Sequence, residues 1–195
     1  MIMKDDRNTK DKLISAARKD FLEHGYKNAS LRRICSEAQV TTGALYFFFN
    51  GKEDLFEEVI REPLRLFNEL FQKTVNLEMN DPKTFEKTEE EMIDFLLKYR
   101  QEVLIILDKS EGTKYEGFKQ QYINSLENVF MSFFEKHIKD PDPDLVRVIT
   151  RMRLNSYLEI ISGDYGKEEA RKLALLMGIY ADAGFAALVK QLGQQ

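Results

Sequence analysis

The segment that most constrains the fold is a run of four aromatic residues with polar edges, VTTGALYFFFNGKEDL at positions 40–55. Successive residues on an α-helix point about 100° apart, so four consecutive aromatic side chains cannot all face one core. Some of Tyr46, Phe47 and Phe48 must therefore face outward, whereas Phe49 and Leu55 are predicted to be buried. A helix with this surface needs a partner that accepts both apolar and polar groups.

The rest of the sequence predicts helices and no strands. Leu13, Ala17 and Phe21 recur at helical spacing, and Gly25 then ends the first helix as a left-handed cap. Ser30 and Thr41 are predicted to cap the second and third helices. We expect a fourth helix to begin at Lys52 and to be kinked at Pro63. Further helices are predicted at 85–99, 101–109, 115–138, 145–162 and 167–192, the fourth of these after a cap at Asp142 and a proline at Pro143. The predicted fold is all-α with about nine helices.

Composition places the chain among cytoplasmic proteins. The chain has 195 residues, 43% of them hydrophobic, which suffices for one compact domain or two small ones. The N-terminus has no apolar signal-peptide core, and the longest apolar runs are too short to span a membrane. The single cysteine, Cys35, is predicted to be a small buried residue. One cysteine and two scattered histidines predict no metal site and no cofactor.

The charges are distributed unevenly along the chain. Residues 1–52 contain 10 Lys and Arg against 6 Asp and Glu, a net charge of +4. Residues 53–195 contain 19 against 27, a net charge of −8. This asymmetry predicts a surface for an anionic partner in the first quarter of the chain and a body that repels it.

Three short helices joined by tight turns predict a helix-turn-helix unit, whose third helix lies in the major groove of DNA. That partner explains the mixed chemistry of positions 40–55. An outward Tyr46 can donate its hydroxyl to a phosphate, and Thr42 and Gly43 lie in a first helical turn whose N–H groups favour phosphate. Gly43 also allows close backbone approach, and Lys52 repeats the arrangement at the next helix start.

The run from Leu13 to Leu55 resembles the DNA-binding domain of the TetR-type (tetracycline-repressor-like) transcriptional regulators. The resemblance rests on fixed spacings among Ala16, Ala17, Phe21, Gly25, Tyr26, Ser30, Ile34, Ala38, Val40, Thr41, Gly43, Leu45, Tyr46, Phe49, Lys52 and Leu55. It implies a helix-turn-helix domain at 1–52 and a helical regulatory and dimerisation domain at 53–195, linked by a helix at 53–75. The C-terminal part matches only in general plan.

Carried over by position, the resemblance implies a set of DNA contacts. Arg32, Thr42 and Gly43 would approach bases, and Ser30, Thr41, Tyr46 and Lys52 would hold phosphates. Arg33 and Phe47 complete the predicted set, although two adjacent arginines cannot face the groove equally.

Three residues depart from the family pattern. Gln39 occupies a turn position that is usually glycine, where left-handed backbone costs roughly 1–2 kcal/mol. Phe47 and Phe48 replace residues that are often tyrosine or histidine, so either ring could contact a thymine methyl or a sugar instead of a phosphate.

Two further surfaces are predicted in the C-terminal part. Aromatic residues that could line an apolar effector pocket are Phe67, Phe71, Phe95, Tyr99, Tyr115, Phe118, Tyr122 and Tyr157; aromatic residues at helical spacing are more often core. Residues that could form a four-helix dimer interface are Val148, Met152, Asn155, Ile160, Ala174, Met177, Gly178, Ala181, Gly184, Phe185 and Leu188, unless this small-residue face packs within the monomer.

These observations predict a ligand-responsive transcriptional regulator, a repressor, and no catalytic residues. A homodimer would bind a pseudo-palindromic operator in double-stranded DNA through the helix at about 42–48. An unidentified, largely apolar small molecule would shift the fourth helix and release the DNA. The alternatives are an enzyme or carrier with a helical-bundle site, which would need a cluster of histidine, cysteine or acidic residues, and an all-α protein-interaction module, which leaves Gly43, Tyr46 and Lys52 unexplained.

Overall fold

The computed structural model describes residues 4–80 and 85–193 as an all-α protein. Within these ranges the chain forms helices and no strands. The helices are α1 (Lys4–Asn28), α2 (Leu31–Glu37), α3 (Thr42–Phe48), α4 (Lys52–Asn80), α5 (Phe85–Lys98), α6 (Arg100–Asp108), α7 (Phe118–His137), α8 (Pro143–Ser162) and α9 (Lys167–Leu192). The predicted fold class and the approximate helix number are confirmed.

Local side-chain chemistry sets several helix starts as predicted. The Ser30 hydroxyl accepts a hydrogen bond from the backbone N–H of Arg33 at 3.5 Å. The Thr41 hydroxyl accepts from Ala44 N at 3.2 Å, and Asp142 caps α8 ahead of Pro143. Each cap satisfies a backbone donor that a helix start would otherwise leave free.

Two backbone conformations shape the region around α1 to α3. Gly25 has φ +73° and ψ 161°, which breaks α1 and lets the N–H of Tyr26 donate to the carbonyl of Lys109 at 2.8 Å. The regular helix that precedes Gly25 ends at this break, as predicted, and one further helical turn follows it to Asn28. Gln39, between α2 and α3, has φ +56°, the conformation expected for a position that favours glycine.

Helix α7 begins three residues after the predicted start because the preceding residues form turns of their own. The Ser110 hydroxyl lies within hydrogen-bonding distance of the carbonyls of Ile106, at 2.9 Å, and Tyr115, at 3.1 Å, and the Thr113 hydroxyl donates to the carbonyl of Ser110. These hydrogen bonds hold the chain in turns up to Phe118. Helix α4 runs from Lys52 to Asn80 without a break at Pro63.

Contacts divide the chain into two compact units. The first comprises Met1–Leu66 and Gln101–Lys119, and its core is one cluster of buried side chains from α1, α2, α3, α4 and α6. Phe56 lies at the centre of this core, with ring-centroid distances of 5.1 Å to Phe21, 5.2 Å to Tyr26 and 6.3 Å to Tyr115. α6 therefore packs with the first three helices, and the functional boundary at residue 52 stays a prediction.

The second unit comprises Phe67–Arg100 and Gln120–Gln195. Here α9 packs against both α5 and α8. One buried cluster surrounds Ile93, Ile160 and Ala174. A separate cluster surrounds Phe134 and Val146, against which Phe185 packs.

Candidate nucleic-acid interface

Helix α3 has a buried face and an exposed face. Leu45 is fully buried, and Phe49, which follows the helix, is 3% exposed. Thr42 and Gly43 are exposed, as are Tyr46 at 58% and Phe47 at 75%. Positions 42, 43, 46 and 47 share one side of a helix because residues three and four apart are neighbours on its surface. The prediction that some of the four aromatic residues face outward, with Phe49 buried, is confirmed.

The ring of Phe48 links the exposed face of α3 to the core. Phe48 is half-buried and packs against the core cluster of the first unit. Its ring meets the Phe47 ring edge-on, with centroids 4.8 Å apart and planes at 86°. Edge-to-face contacts of this kind are favourable, so Phe47 is held at the surface.

The described residues around Gly43 leave room for a larger side chain. A Cβ atom built at this position meets its nearest neighbour, the Thr41 hydroxyl oxygen, at 3.8 Å, an ordinary van der Waals distance. Glycine is an unfavourable helix residue compared with alanine. A glycine here therefore has no explanation in the packing of the described residues, and close approach of an external molecule would supply one.

An ion pair braces α2 against α1. The Arg33 guanidinium donates to Asp20 Oδ1 at 2.6 Å and Oδ2 at 3.1 Å, and also to the carbonyl of Asn28 at 2.9 Å. The second Asp20 oxygen accepts from Ser30 N–H at 2.9 Å. Burial raises the pKa of the Asp20 carboxyl, but these hydrogen bonds and the Arg33 charge outweigh it and leave the pKa below its ordinary value. Arg32, the neighbouring residue, is exposed.

The predicted phosphate-binding residues also have roles inside the chain. Lys52 is half-buried, and its Nζ donates to the carbonyls of Lys27 at 3.2 Å and Ala29 at 3.3 Å while lying 4.6 Å from the centre of the Tyr26 ring. Ser30 and Thr41 use their hydroxyl oxygens as cap acceptors. A hydroxyl that accepts in this way still has its proton to donate, so capping is compatible with a phosphate contact.

Cys35 is buried beside this face. Its side chain belongs to the core cluster and is 4% exposed. Burial raises the pKa of its thiol, opposed by a hydrogen bond with Thr42. The thiolate, the reactive form, is therefore disfavoured, as expected for a small core residue.

The eight residues predicted to line an effector pocket lie in three places. Five of them form an aromatic cluster in the second unit, in which the Phe67 ring lies 4.9 Å from Tyr122 and 5.9 Å from Phe95; its other members are Phe71 and Tyr99. Tyr115 and Phe118 pack instead against the core of the first unit. Tyr157 packs against the cluster around Ile160.

The residues predicted for a dimer interface are divided between core and surface. Ala174 and Gly178 are buried, as is Ile160, whereas Met177, Ala181, Phe185 and Leu188 are half-buried. Val148 at 59%, Met152 at 50%, Asn155 and Gly184 are exposed. Three large apolar residues of α9 that the sequence pattern did not single out are also exposed: Leu176 at 52%, Ile179 at 67% and Tyr180 at 62%.

This exposed side makes α9 unusual among the described helices. It is the one described helix that is long and apolar enough to cross a membrane by length and composition, and few of its residues are buried. Large exposed apolar patches on proteins often mark sites of interaction. Over the described residues, no group of three or more His, Cys, Asp or Glu side chains could hold a metal ion.

Comparison with known proteins agrees with this geometry. Residues 13–59 match the sequence profile of the family described as "Bacterial regulatory proteins, tetR family". The chain is 23% identical over 189 residues to the uncharacterized HTH-type transcriptional regulator YhgD of Bacillus subtilis, covering 90% of this chain and 95% of that protein. It is 36% identical over 55 residues to the HTH-type transcriptional repressor AcnR of Corynebacterium glutamicum, covering 28% of this chain and 29% of AcnR.

Solved structures show the same fold. A transcriptional regulator of the TerR/AcrR family from Aquifex aeolicus VF5 aligns with a TM-score of 0.58 and 24% identity over 88% of this chain and 99% of that one. AibR, solved in complex with isovaleryl coenzyme A and operator DNA, aligns with a TM-score of 0.61 and 20% identity over 87% of this chain and 97% of AibR. The profile match covers α2, α3 and the helix starts that form the exposed face described above. Residues 13–59 therefore form a DNA-binding domain of the tetR family of bacterial regulatory proteins, and the chain shares the fold of solved transcriptional regulators along most of its length.

Proposed function

We propose that this regulator is a ligand-responsive repressor that binds a pseudo-palindromic operator as a homodimer in the cytoplasm. The observation that carries the proposal is the exposed face of α3. Two large aromatic side chains, Tyr46 and Phe47, are exposed beside Gly43. The packing of the described residues would leave room for a side chain at Gly43, so it does not explain why a glycine stands there. A protein surface with these features suits the major groove, where polar phosphates, base edges and thymine methyl groups lie close together.

The proposed contacts divide by chemistry. Tyr46 donates its hydroxyl to a phosphate, and the hydroxyls of Ser30 and Thr41 donate to phosphates from the cap positions. Thr42 and Gly43 approach the base edges, and Arg32, exposed on α2, reaches the groove beside them.

Arg33 and Lys52 combine DNA binding with structural support. Arg33 is held by Asp20 and the Asn28 carbonyl, so we assign it mainly to the positioning of α2. Lys52 bonds two carbonyls near the end of α1, and an ammonium group has three donors. The third is available for a phosphate, which makes Lys52 a contact that also fixes the entry to α4.

A second copy of the chain is the proposed partner of α8 and α9. Val148 and Met152 on α8, with Leu176, Ile179 and Tyr180 on α9, are the large exposed apolar side chains of this region. A two-fold axis through such a face would bury them and bring two DNA-binding units to one duplex. The interface would thus centre on the exposed residues of α8 and α9, with Asn155 of α8 and Gly184 of α9 among them, rather than on the buried Ala174 and Gly178.

The aromatic cluster of the second unit is the proposed effector site. Phe67, Phe71, Phe95, Tyr99 and Tyr122 offer ring faces with two hydroxyls, a lining that suits an apolar molecule with a polar group. AibR, of the same fold, was solved with an acyl coenzyme A and with operator DNA, which supports a small-molecule effector. α4 carries Phe67 and Phe71 and begins at Lys52, so we propose that the effector shifts α4, alters the spacing of the two α3 helices and releases the operator.

The test begins with selection of bound duplexes from a random library, followed by binding of the enriched duplex at several salt concentrations. We expect an inverted repeat bound at nanomolar level. Lys52→Ala should weaken binding to all sequences alike and lower the slope of log affinity against log salt by about one. Lys172→Ala, which removes an exposed lysine of α9, serves as the control and should leave the slope unchanged. Failure of folded protein to enrich any sequence at low salt would contradict the proposed function.

A further inference from the structure

We infer that Phe47 is a specificity-determining residue that reads the C5-methyl group of one thymine in each half-site of the operator. The inference rests on the proposed function, which places α3 in the major groove. It goes further by assigning one base type to one side chain. The Phe47 ring is exposed, is held in place by Phe48 and carries no hydrogen-bonding group.

The exposure of Phe47 is the first observation. At 75% it exceeds that of the other large exposed hydrophobic side chains in the described part of the chain, including those on α9. The fold does not need the ring for its core, because Leu45 and Phe49 fill that role from either side of it in the sequence. Leaving a phenyl ring in water forgoes the free energy of burial, which a bound partner could recover.

The ring is also presented in a fixed place. Phe48 is wedged between core and surface, and the two rings meet edge-on at 4.8 Å. Gly43 lies four residues before Phe47, on the same side of α3, and contributes no side chain that would cover the ring from that direction. An external group can therefore reach the Phe47 ring alongside the α3 backbone.

A phenyl ring carries no hydrogen-bond donor or acceptor, which limits what it can read. Every base edge in the major groove presents donors or acceptors, and thymine alone adds a methyl group. A sugar contact is the alternative for an apolar ring, but it would carry no sequence preference. The position of Phe47 next to Thr42 and Gly43, on the face assigned to the bases, favours the methyl group.

The experiment replaces thymines of the selected operator, one pair of symmetry-related positions at a time, by deoxyuridine. This change removes the methyl group and keeps the base pair. For the unchanged protein we expect one pair of positions at which deoxyuridine lowers the affinity. The loss should be about fourfold per half-site, the contribution of one buried methyl group, and therefore about fifteenfold when both half-sites are changed. Phe47→Ala should bind the thymine and uracil duplexes equally, and Phe47→Leu should retain part of the difference.

Tyr46→Phe is the matched control, because it changes the neighbouring aromatic residue without removing its ring. It should weaken binding to both duplexes and leave the ratio of thymine to uracil affinity unchanged. Thermal unfolding of Phe47→Ala should match that of the original protein, since the ring lies outside the core.

Three outcomes would overturn the inference. Tight operator binding with equal affinity for thymine and uracil at every position would reduce Phe47 to a sugar contact while leaving the proposed function intact. Thymine preference that persists in Phe47→Ala would assign the reading to another residue. Absence of any operator would remove the proposed function itself, and this inference with it.

Discussion

The two compact units of the chain differ in how their cores are built. In the first unit, buried side chains from five helices form one cluster around Phe56. In the second, the described residues form separate clusters around Ile160 and Phe134, with an aromatic group near Phe67. Long-range polar contacts also brace the first unit, with Arg33 held by Asp20 and Lys52 by two carbonyls. A continuous core holds a recognition surface in one geometry, whereas divided cores can rearrange around a small molecule.

The largest expected effect is a loss of stability, which should be greater for a substitution in the core of the first unit than for one in the second. Phe56→Ala removes a fully buried ring that contacts three other rings, so it should lower the free energy of unfolding by about 3–5 kcal/mol. Phe67→Ala removes a half-buried ring of the second unit and should cost less than half as much. Urea denaturation followed by circular dichroism measures both. Equal losses would remove the contrast between the cores.

The next effect concerns the exposed side of α9. If the proposed dimer forms through this face, Ile179→Glu would place two like charges near its two-fold axis. We then expect the protein to become monomeric and operator affinity to fall at least about 100-fold, roughly 2.7 kcal/mol. Sedimentation velocity measures the first result and duplex titration the second. Lys172→Glu, a charge change at an exposed polar position of the same helix, is the control. A dimeric Ile179→Glu protein would show that another surface joins the copies.

The Asp20 brace should make the first unit sensitive to acid. The pKa of Asp20 is lowered in the folded chain, so its stabilisation is fully present above the ordinary value of 3.8 and is lost as the pH falls through the folded value. Asp20→Asn should therefore reduce stability at pH 7 by about 2 kcal/mol, the size of hydrogen bonds to a charged group, with the difference shrinking below about pH 4. Urea denaturation of both proteins from pH 7 to pH 3 is the measurement. A difference that does not change with pH would mean that the charge of Asp20 is not the source.

The smallest expected effect has opposite signs for folding and for binding. Gly43→Ala should stabilise the protein slightly, by up to about 0.5 kcal/mol, because alanine favours a helix and the Cβ has room. Operator affinity should fall about tenfold, roughly 1.4 kcal/mol, if the DNA approaches the backbone there. Thermal unfolding and duplex titration of the same preparation give both numbers. Unchanged affinity would leave Gly43 without a role in binding.

Local chemistry explains why much of the fold was predictable from the sequence. Ser30, Thr41 and Asp142 cap helices through bonds to residues two or three positions away, and such bonds can be recognised in a short window. The positive φ of Gln39 followed from its place in a turn. The outward rings of α3 followed from helix geometry alone.

Contacts between distant residues were not predictable in the same way. The bonds of Arg33 to Asp20 and of Lys52 to Lys27 join residues 13 and 25 positions apart, and their geometry depends on how helices pack. α9 carries small and apolar residues around most of its circumference, so periodicity could not separate the buried Ala174 from the exposed Ile179. The unusually apolar composition of α9 was the available signal that apolar side chains would remain exposed on this helix.

The residues that touch DNA can be identified directly by cross-linking. The selected operator is prepared with 5-iodouracil in place of thymine, cross-linked to the protein with ultraviolet light and digested with trypsin, which cuts after Arg33 and Lys52. We expect cross-links in the peptide of residues 34–52, at Tyr46 or Phe47. Cross-links confined to peptides from residues 120–193 would contradict this expectation, because DNA would then bind the second unit rather than the exposed face of α3.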